Sequence, residues 1–105
     1  MLSFKNFDKT AASSQESFFV TNGTQWDISR IVLRIRYLRA DTDELIHERA
    51  VTLEVDLPAG ATRQVTTKSF DRQRAYYYYA SPRPRKAATA FKVAFRVERY
   101  DIIAQ

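Results

Sequence analysis

The chain has 105 residues, 45% of them hydrophobic and 13% aromatic, with 17 Lys and Arg against 12 Asp and Glu, one His and no Cys. That length makes one domain able to bury a core of its own, and the missing cysteines exclude structural disulfides, thiol catalysis and Cys-ligated zinc. With His47 as the single imidazole, a multi-His metal site and a triad built on a second histidine are excluded as well, and the formal charge of +5 favours anionic partners.

Residues 1–16 read as an irregular arm. Phe4 and Phe7 are apolar, but Lys5-Asn6 and Asp8-Lys9-Thr10 break any period, and Ala11-Ala12-Ser13-Ser14-Gln15 is small and polar as linkers are. Ser17 to Thr21 reads as a first strand around Phe18-Phe19-Val20. Asn22-Gly23 follows as a turn, where Gly tolerates positive φ. Asn22-Gly23-Thr24 also has the form of an N-glycosylation acceptor, with the turn as the preferred reading.

Residues 28–39 carry the clearest signal. Ile31, Leu33, Ile35 and Tyr37 fall on one parity, and Arg30, Val32, Arg34, Arg36 and Leu38 on the other. Side chains alternate faces along a strand, so this is a half-buried strand with an Arg-rich outer face. Asp41-Thr42-Asp43-Glu44 is a polar turn without the spacing of a calcium loop. The next strand opens at Leu45 and presents Val51, Leu53 and Val55 on one face. Ile46 lies on the wrong parity, which predicts a bulge near Glu48-Arg49-Ala50.

Leu57-Pro58-Ala59-Gly60 is a turn. Thr62 to Phe70 is β-branched and polar, a strand that is partly exposed or at an edge. Tyr76-Tyr77-Tyr78-Tyr79 has high strand propensity, while Ser81-Pro82-Arg83-Pro84-Arg85 cannot continue a sheet interior because proline lacks a donor. Thr89 to Ile103 alternates again, with Phe91, Val93, Phe95 and Val97 opposed to Lys92, Ala94, Arg96 and Glu98. Neither long segment has the three-and-four spacing of a helix. The chain is therefore expected to be all-β, an immunoglobulin-like antiparallel β-sandwich of about seven strands over 17–105. Its core should hold Ile31, Leu33, Ile35, Tyr37, Val51, Leu53, Val55, Phe91, Val93, Phe95 and Val97.

Four pieces in order make residues 17–70 resemble the FxLYD-type immunoglobulin-like domain of bacteria and archaea. They are Phe18-Phe19-Val20-Thr21-Asn22, Ile31-Val32-Leu33-Arg34-Ile35-Arg36-Tyr37, Asp43-Glu44-Leu45-Ile46 and Leu57-Pro58-Ala59-Gly60. The departures are a missing Gly in the 41–44 turn and the long insertion at 71–88. The resemblance implies a non-catalytic module of a cell-envelope assembly, and it carries over no functional residue.

The sharpest charged feature is Arg72, Arg74, Arg83, Arg85 and Lys86, with no acid between them. Tyr77 and Tyr79 lie inside it. Arg forks suit phosphate, sulfate or carboxylate oxygens, and Tyr rings can stack on bases or sugars. The plainer alternative is a strand with alternating tyrosines and a solvated Arg-Pro loop, which could also lie in polyproline II form as a peptide ligand. On the outer face of the long strands Arg34, Arg36, Lys92 and Arg96 form either a basic stripe or an ion-pair lattice with Glu48, Glu54 and Glu98.

No Gly-rich phosphate loop exists, and His47 has no partner for acid–base or nucleophilic chemistry. The expectation is a non-enzymatic interaction module that uses no cofactor and no metal. It would bind a protein partner, or a second copy, through sheet edges or the 71–88 segment. The alternative is an anionic polymer, nucleic acid or acidic glycan, on the segment 72–86. No apolar run approaches the roughly 20 residues of a membrane span, and residues 1–5 lack the apolar stretch of a secretory signal. A cytosolic protein and a piece of a longer envelope protein both stay open, the envelope being favoured by the resemblance.

Overall fold

Period-two alternation requires a pleated backbone. The structure, a computed structural model describing residues 1–103, is accordingly all-β: seven strands in two sheets, with no helix among the described residues. The strands are β1 (Leu2–Asp8), β2 (Gln15–Asn22), β3 (Ile28–Arg39), β4 (Leu45–Leu57), β5 (Thr62–Lys68), β6 (Tyr76–Tyr78) and β7 (Thr89–Ile102). One sheet has the order β1-β2-β5 and the other β4-β3-β7-β6, facing each other as a sandwich. Every pairing is antiparallel except the short one between β6 and β7.

β3 is central because both of its faces have a use. Inward, Ile31, Leu33, Ile35 and Tyr37 are all fully buried. Each such side chain stabilises the fold by roughly 1.5–3 kcal/mol relative to exposure. Outward, its arginines meet β4 and β7. All eleven residues expected in the core lie in it: Leu53 and Phe91 are also buried, and Val51, Val55, Val93, Phe95 and Val97 are partly buried against them. Phe7, Phe18, Val20, Ile28 and Leu57 complete it. β5 is an edge strand, as its polarity suggested.

The arm expected to be irregular contains β1. A register shift between Lys5 and Asp8 inserts one residue, and Asn6 within it has φ 56. A bulge of this kind turns a spacing of three into one face, so Phe4 and Phe7 both point inward. Phe4 stacks on Phe95 at 5.0 Å between centroids, and Phe7 meets Tyr78 at 4.9 Å.

The β4 bulge lies at Ile46, slightly before the expected place. Tyr37 opposes His47 while Leu38 opposes Leu45, and Glu48-Arg49-Ala50 pair regularly. A third bulge sits at Glu98, because Leu33 opposes Val97 but Val32 opposes Arg99. It brings Tyr100 to the inner face after Val97.

Gly23 does not need positive φ; Gly60 does, at φ 79. Gly23 is required for space instead: its amide donates to Met1 O at 2.8 Å, and a Cβ there would stand 2.5 Å from the same oxygen. Asn22 is fully buried. Its Nδ2 donates to Trp26 O at 2.7 Å and Leu57 O at 3.0 Å, and its Oδ1 accepts from the Thr24 amide at 2.9 Å. In this fold Asn22 ties the β2–β3 connection to the 57–61 turn, and its amide is enclosed.

Candidate anion-binding surface

The segment that carries the basic cluster hangs from two buried polar groups. Lys9 Nζ lies 3.0 Å from Asp71 Oδ2, with both side chains sealed from solvent. It also donates to Tyr76 O at 2.8 Å and Thr10 O at 3.1 Å. The Asp71 carboxylate accepts from the amides of Ala75 at 2.9 Å and Tyr76 at 2.8 Å. Burial pushes the Asp71 carboxyl up, but these amides and the Lys9 ammonium outweigh it and hold it below the usual carboxylate range. Arg74 turns the chain inside this cap at φ 57. The turn 71–75 is thereby fixed, with Arg72 and Arg74 exposed on it.

Beside it, Glu16 is fully buried. Its carboxylate accepts from Tyr37 Oη at 2.6 Å, Arg49 Nη2 at 3.0 Å, Ser69 Oγ at 2.9 Å and the Phe70 amide at 3.2 Å. Phe70 closes the end of the sandwich against Tyr37 at 4.1 Å, His47 at 5.6 Å and Tyr76 at 5.5 Å. A cleft of about 770 Å³ opens over this group, lined by Ser14, Gln15, His47, Arg49, Lys68, Ser69, Phe70, Asp71 and Arg72.

β6 splits the tyrosines by face. Tyr76 and Tyr78 point inward onto Phe70 and Phe7. Tyr77 points out, and Tyr79 is 56% exposed. Tyr77, Arg83, Pro84, Arg85 and Lys86 line one cleft of about 420 Å³ with Ala87 and Ala88. That cleft wall holds three cations and a ring and no carboxylate. Arg72 stands in the other cleft, while Arg74 and Tyr79 line neither.

The outer sheet face is an ion-pair lattice. β3 and β7 do pair, and Arg34 stands directly opposite Arg96. Arg34 bonds Glu98 and reaches Glu48; Arg36 reaches Glu48; Arg30 binds Glu54 and Asp101. A hydrogen bond from Arg34 lowers the Glu98 carboxyl below its ordinary value. The acidic turn is used in the same way: Asp41 binds Arg39 and Asp43 binds Lys92. Asp43 has φ 62, the left-handed place a Gly could take. Among the described residues Arg72, Arg74, Arg83, Arg85, Lys86 and Arg96 make no ion pair.

The candidate residues thus separate into three groups: Arg34, Arg36 and Lys92 neutralised on the sheet, Arg96 beside them, and the 72–86 cations exposed at one end. The sequence reading placed no binding site at His47, Arg49 or Lys68, which the sandwich brings to Arg72. Nothing local signals that meeting, because β4 and β5 belong to different sheets. No family model matches this sequence, and neither a curated protein nor a solved structure matches it.

Proposed function

We propose that the domain is a non-enzymatic interaction module that grips an anionic partner surface through Arg72, Arg74, Arg83, Arg85 and Lys86. One observation carries this reading. On the sheet face Arg30, Arg34, Arg36 and Lys92 are matched by Glu48, Glu54, Glu98, Asp43 and Asp101, whereas Tyr77, Arg83, Arg85 and Lys86 share a cleft without an acid. Forked guanidinium donors beside an outward ring are equipment for holding an oxyanion.

An immunoglobulin-like fold is part of the proposal. Orders β1-β2-β5 and β4-β3-β7 parallel the A-B-E and C′-C-F orders of such sandwiches, with β6 starting the lane where the last strand runs. The pieces that resemble the FxLYD type fall on β2, on β3 and on the two ends of β4 with their turns, which supports a module of an envelope assembly.

The test is retention on heparin, single-stranded DNA and polyglutamate columns at increasing salt, for wild type and Arg83→Glu/Arg85→Glu. Wild type should be retained on at least one matrix, with affinity falling steeply with salt, and the variant should elute early. The matrix that holds wild type longest names the anion. Equal retention of both chains overturns the proposal.

A further inference from the structure

β7 has an unfilled lane beside it. β6 pairs with Thr89, Ala90 and Phe91 alone, and among the described residues no strand pairs with 92–102 on that side. The direction of the backbone groups follows from their bonds. Thr89 N donates to Ala75 O at 2.9 Å and Phe91 O accepts from Tyr79 N at 2.8 Å, so both face the β6 lane. Ala90 O accepts from Ala40 N and faces β3. By the alternation of a ladder, the N–H and C=O of Val93, Phe95 and Val97 also face the open lane.

Edges are normally guarded by bulges and inward charges. The β4 edge has both: a bulge at Ile46, and His47 and Arg49 on its inner parity. β1 has its bulge at Asn6. β7 from Phe91 to Val97 has neither. Its inner row is apolar throughout, and Val93, Phe95 and Val97 are only partly covered. The apolar surface continues past the Glu98 bulge into Tyr100 at 40% exposed and Ile102 at 45%.

We propose that β7 accepts an extended peptide segment in this lane, paired to Val93, Phe95 and Val97, with apolar side chains on its inner parity and acidic ones on its outer parity. Charge selects that chemistry. The outer row beside the lane carries Lys92, Arg96, Glu98, Arg99 and Asp101. Lys92 is taken by Asp43, Glu98 by Arg34 and Asp101 by Arg30, which leaves Arg96 and Arg99 without an ion pair among the described residues. Acids opposite Arg96 and Arg99 are favourable, and cations are not. A second copy's β7 would bring the same unpaired Arg96 and Arg99 to the lane, with its own acids already held by Arg34 and Arg30, so it matches the lane less well than an acidic strand. Strand addition is a common mode of peptide recognition, with main-chain bonds giving affinity and alternate side chains giving specificity.

The probes are a short synthetic peptide alternating Val and Glu and its Val and Lys counterpart. Amide hydrogen exchange is read by NMR on wild type, Arg96→Glu and Arg83→Glu/Arg85→Glu. The Val/Glu peptide should slow exchange at Val93, Phe95 and Val97. Arg96→Glu should reverse the preference to the Val/Lys peptide, a swing on the order of tenfold. This variant should keep the fold, since Arg96 is exposed and makes no ion pair among the described residues. The loop variant should keep full protection, which separates this site from the anion-binding surface. Protection absent from these amides or confined to 72–86, an unchanged preference in Arg96→Glu, or wild-type dimers formed through Val93–Val97 would each overturn the proposal.

Discussion

Lys9 and Asp71 meet at 3.0 Å with no solvent access to the ammonium, and the pair joins the chain's first strand to the turn before β6. Removing one partner leaves the other charge buried and alone, which costs about 3–5 kcal/mol. Asp71→Asn and Lys9→Met should each lower stability on that scale in denaturant unfolding. Lys9→Met/Asp71→Asn should lose less than the two added together, by about 0.5–3 kcal/mol of coupling. Additive losses would mean that the pair is not a unit.

The alternation of β3 makes a second, sharper contrast. Leu33 is fully buried and its neighbour Val32 faces outward opposite Thr52 and Arg99. Leu33→Asp buries an unpaired charge and should abolish the cooperative thermal transition. Val32→Asp should leave a cooperative transition close to wild type. Equal effects would mean that the face assignment is wrong.

The Asn22-Gly23 connection is held by side-chain bonds and close approach. Asn22→Ala removes the side-chain donor of Leu57 O and the acceptor of the Thr24 amide, a loss of about 1–3 kcal/mol for unsatisfied buried groups, while Trp26 O keeps its bond from Thr24 Oγ1. Gly23→Ala drives a Cβ to 2.5 Å from Met1 O and should cost about 1–3 kcal/mol as the strand end shifts. Urea midpoints of the two variants measure both. A Gly23→Ala midpoint equal to wild type would show that the β1 end yields freely.

What the sequence made legible was the period. Ile31 to Tyr37 and Phe91 to Val97 declare their faces without help, and from them came the class, the long strands and the core. Three bulges hid the rest. Phe4 and Phe7 share a face only because Asn6 is inserted between them, Ile46 turns inward only by the slip before His47, and Tyr100 follows Val97 only because Glu98 is extra. A period argument reads the first and last of these as noise; Ile46, on the wrong parity, did announce a bulge, which falls slightly before the expected place. The polar groups were hidden for another reason. Glu16, Arg49 and Ser69 come from three strands or their ends, and no local pattern pairs them. The basic cluster at 72–86 was visible as charge, but only the lattice on β3 shows that Arg30, Arg34 and Arg36 are matched while the cluster is not.

The pH profile follows from Asp71 and Tyr37. Asp71 has a lowered carboxyl pKa in the folded chain. Its contribution is therefore complete above the unfolded value of about 3.9 and is lost as pH falls through the lower folded value. Tyr37 shifts the other way: burial and then the Glu16 carboxylate raise its phenol well above the ordinary range, against a smaller opposite pull from Arg49. A raised group stabilises fully below its unfolded pKa, about 10 for tyrosine, and that stability is lost as pH rises beyond it. Stability should thus fall on both flanks. Asp71→Asn should flatten the acid flank and leave the alkaline one, and Tyr37→Phe should do the reverse. The phenylalanine variant lowers the plateau by about 1.5–3 kcal/mol, the worth of a hydrogen bond to a charged group, because Glu16 keeps its bonds from Arg49, Ser69 and the Phe70 amide. Denaturant unfolding of the three chains across pH measures both slopes. An alkaline flank unchanged in Tyr37→Phe would assign the loss to the exposed tyrosines and lysines instead.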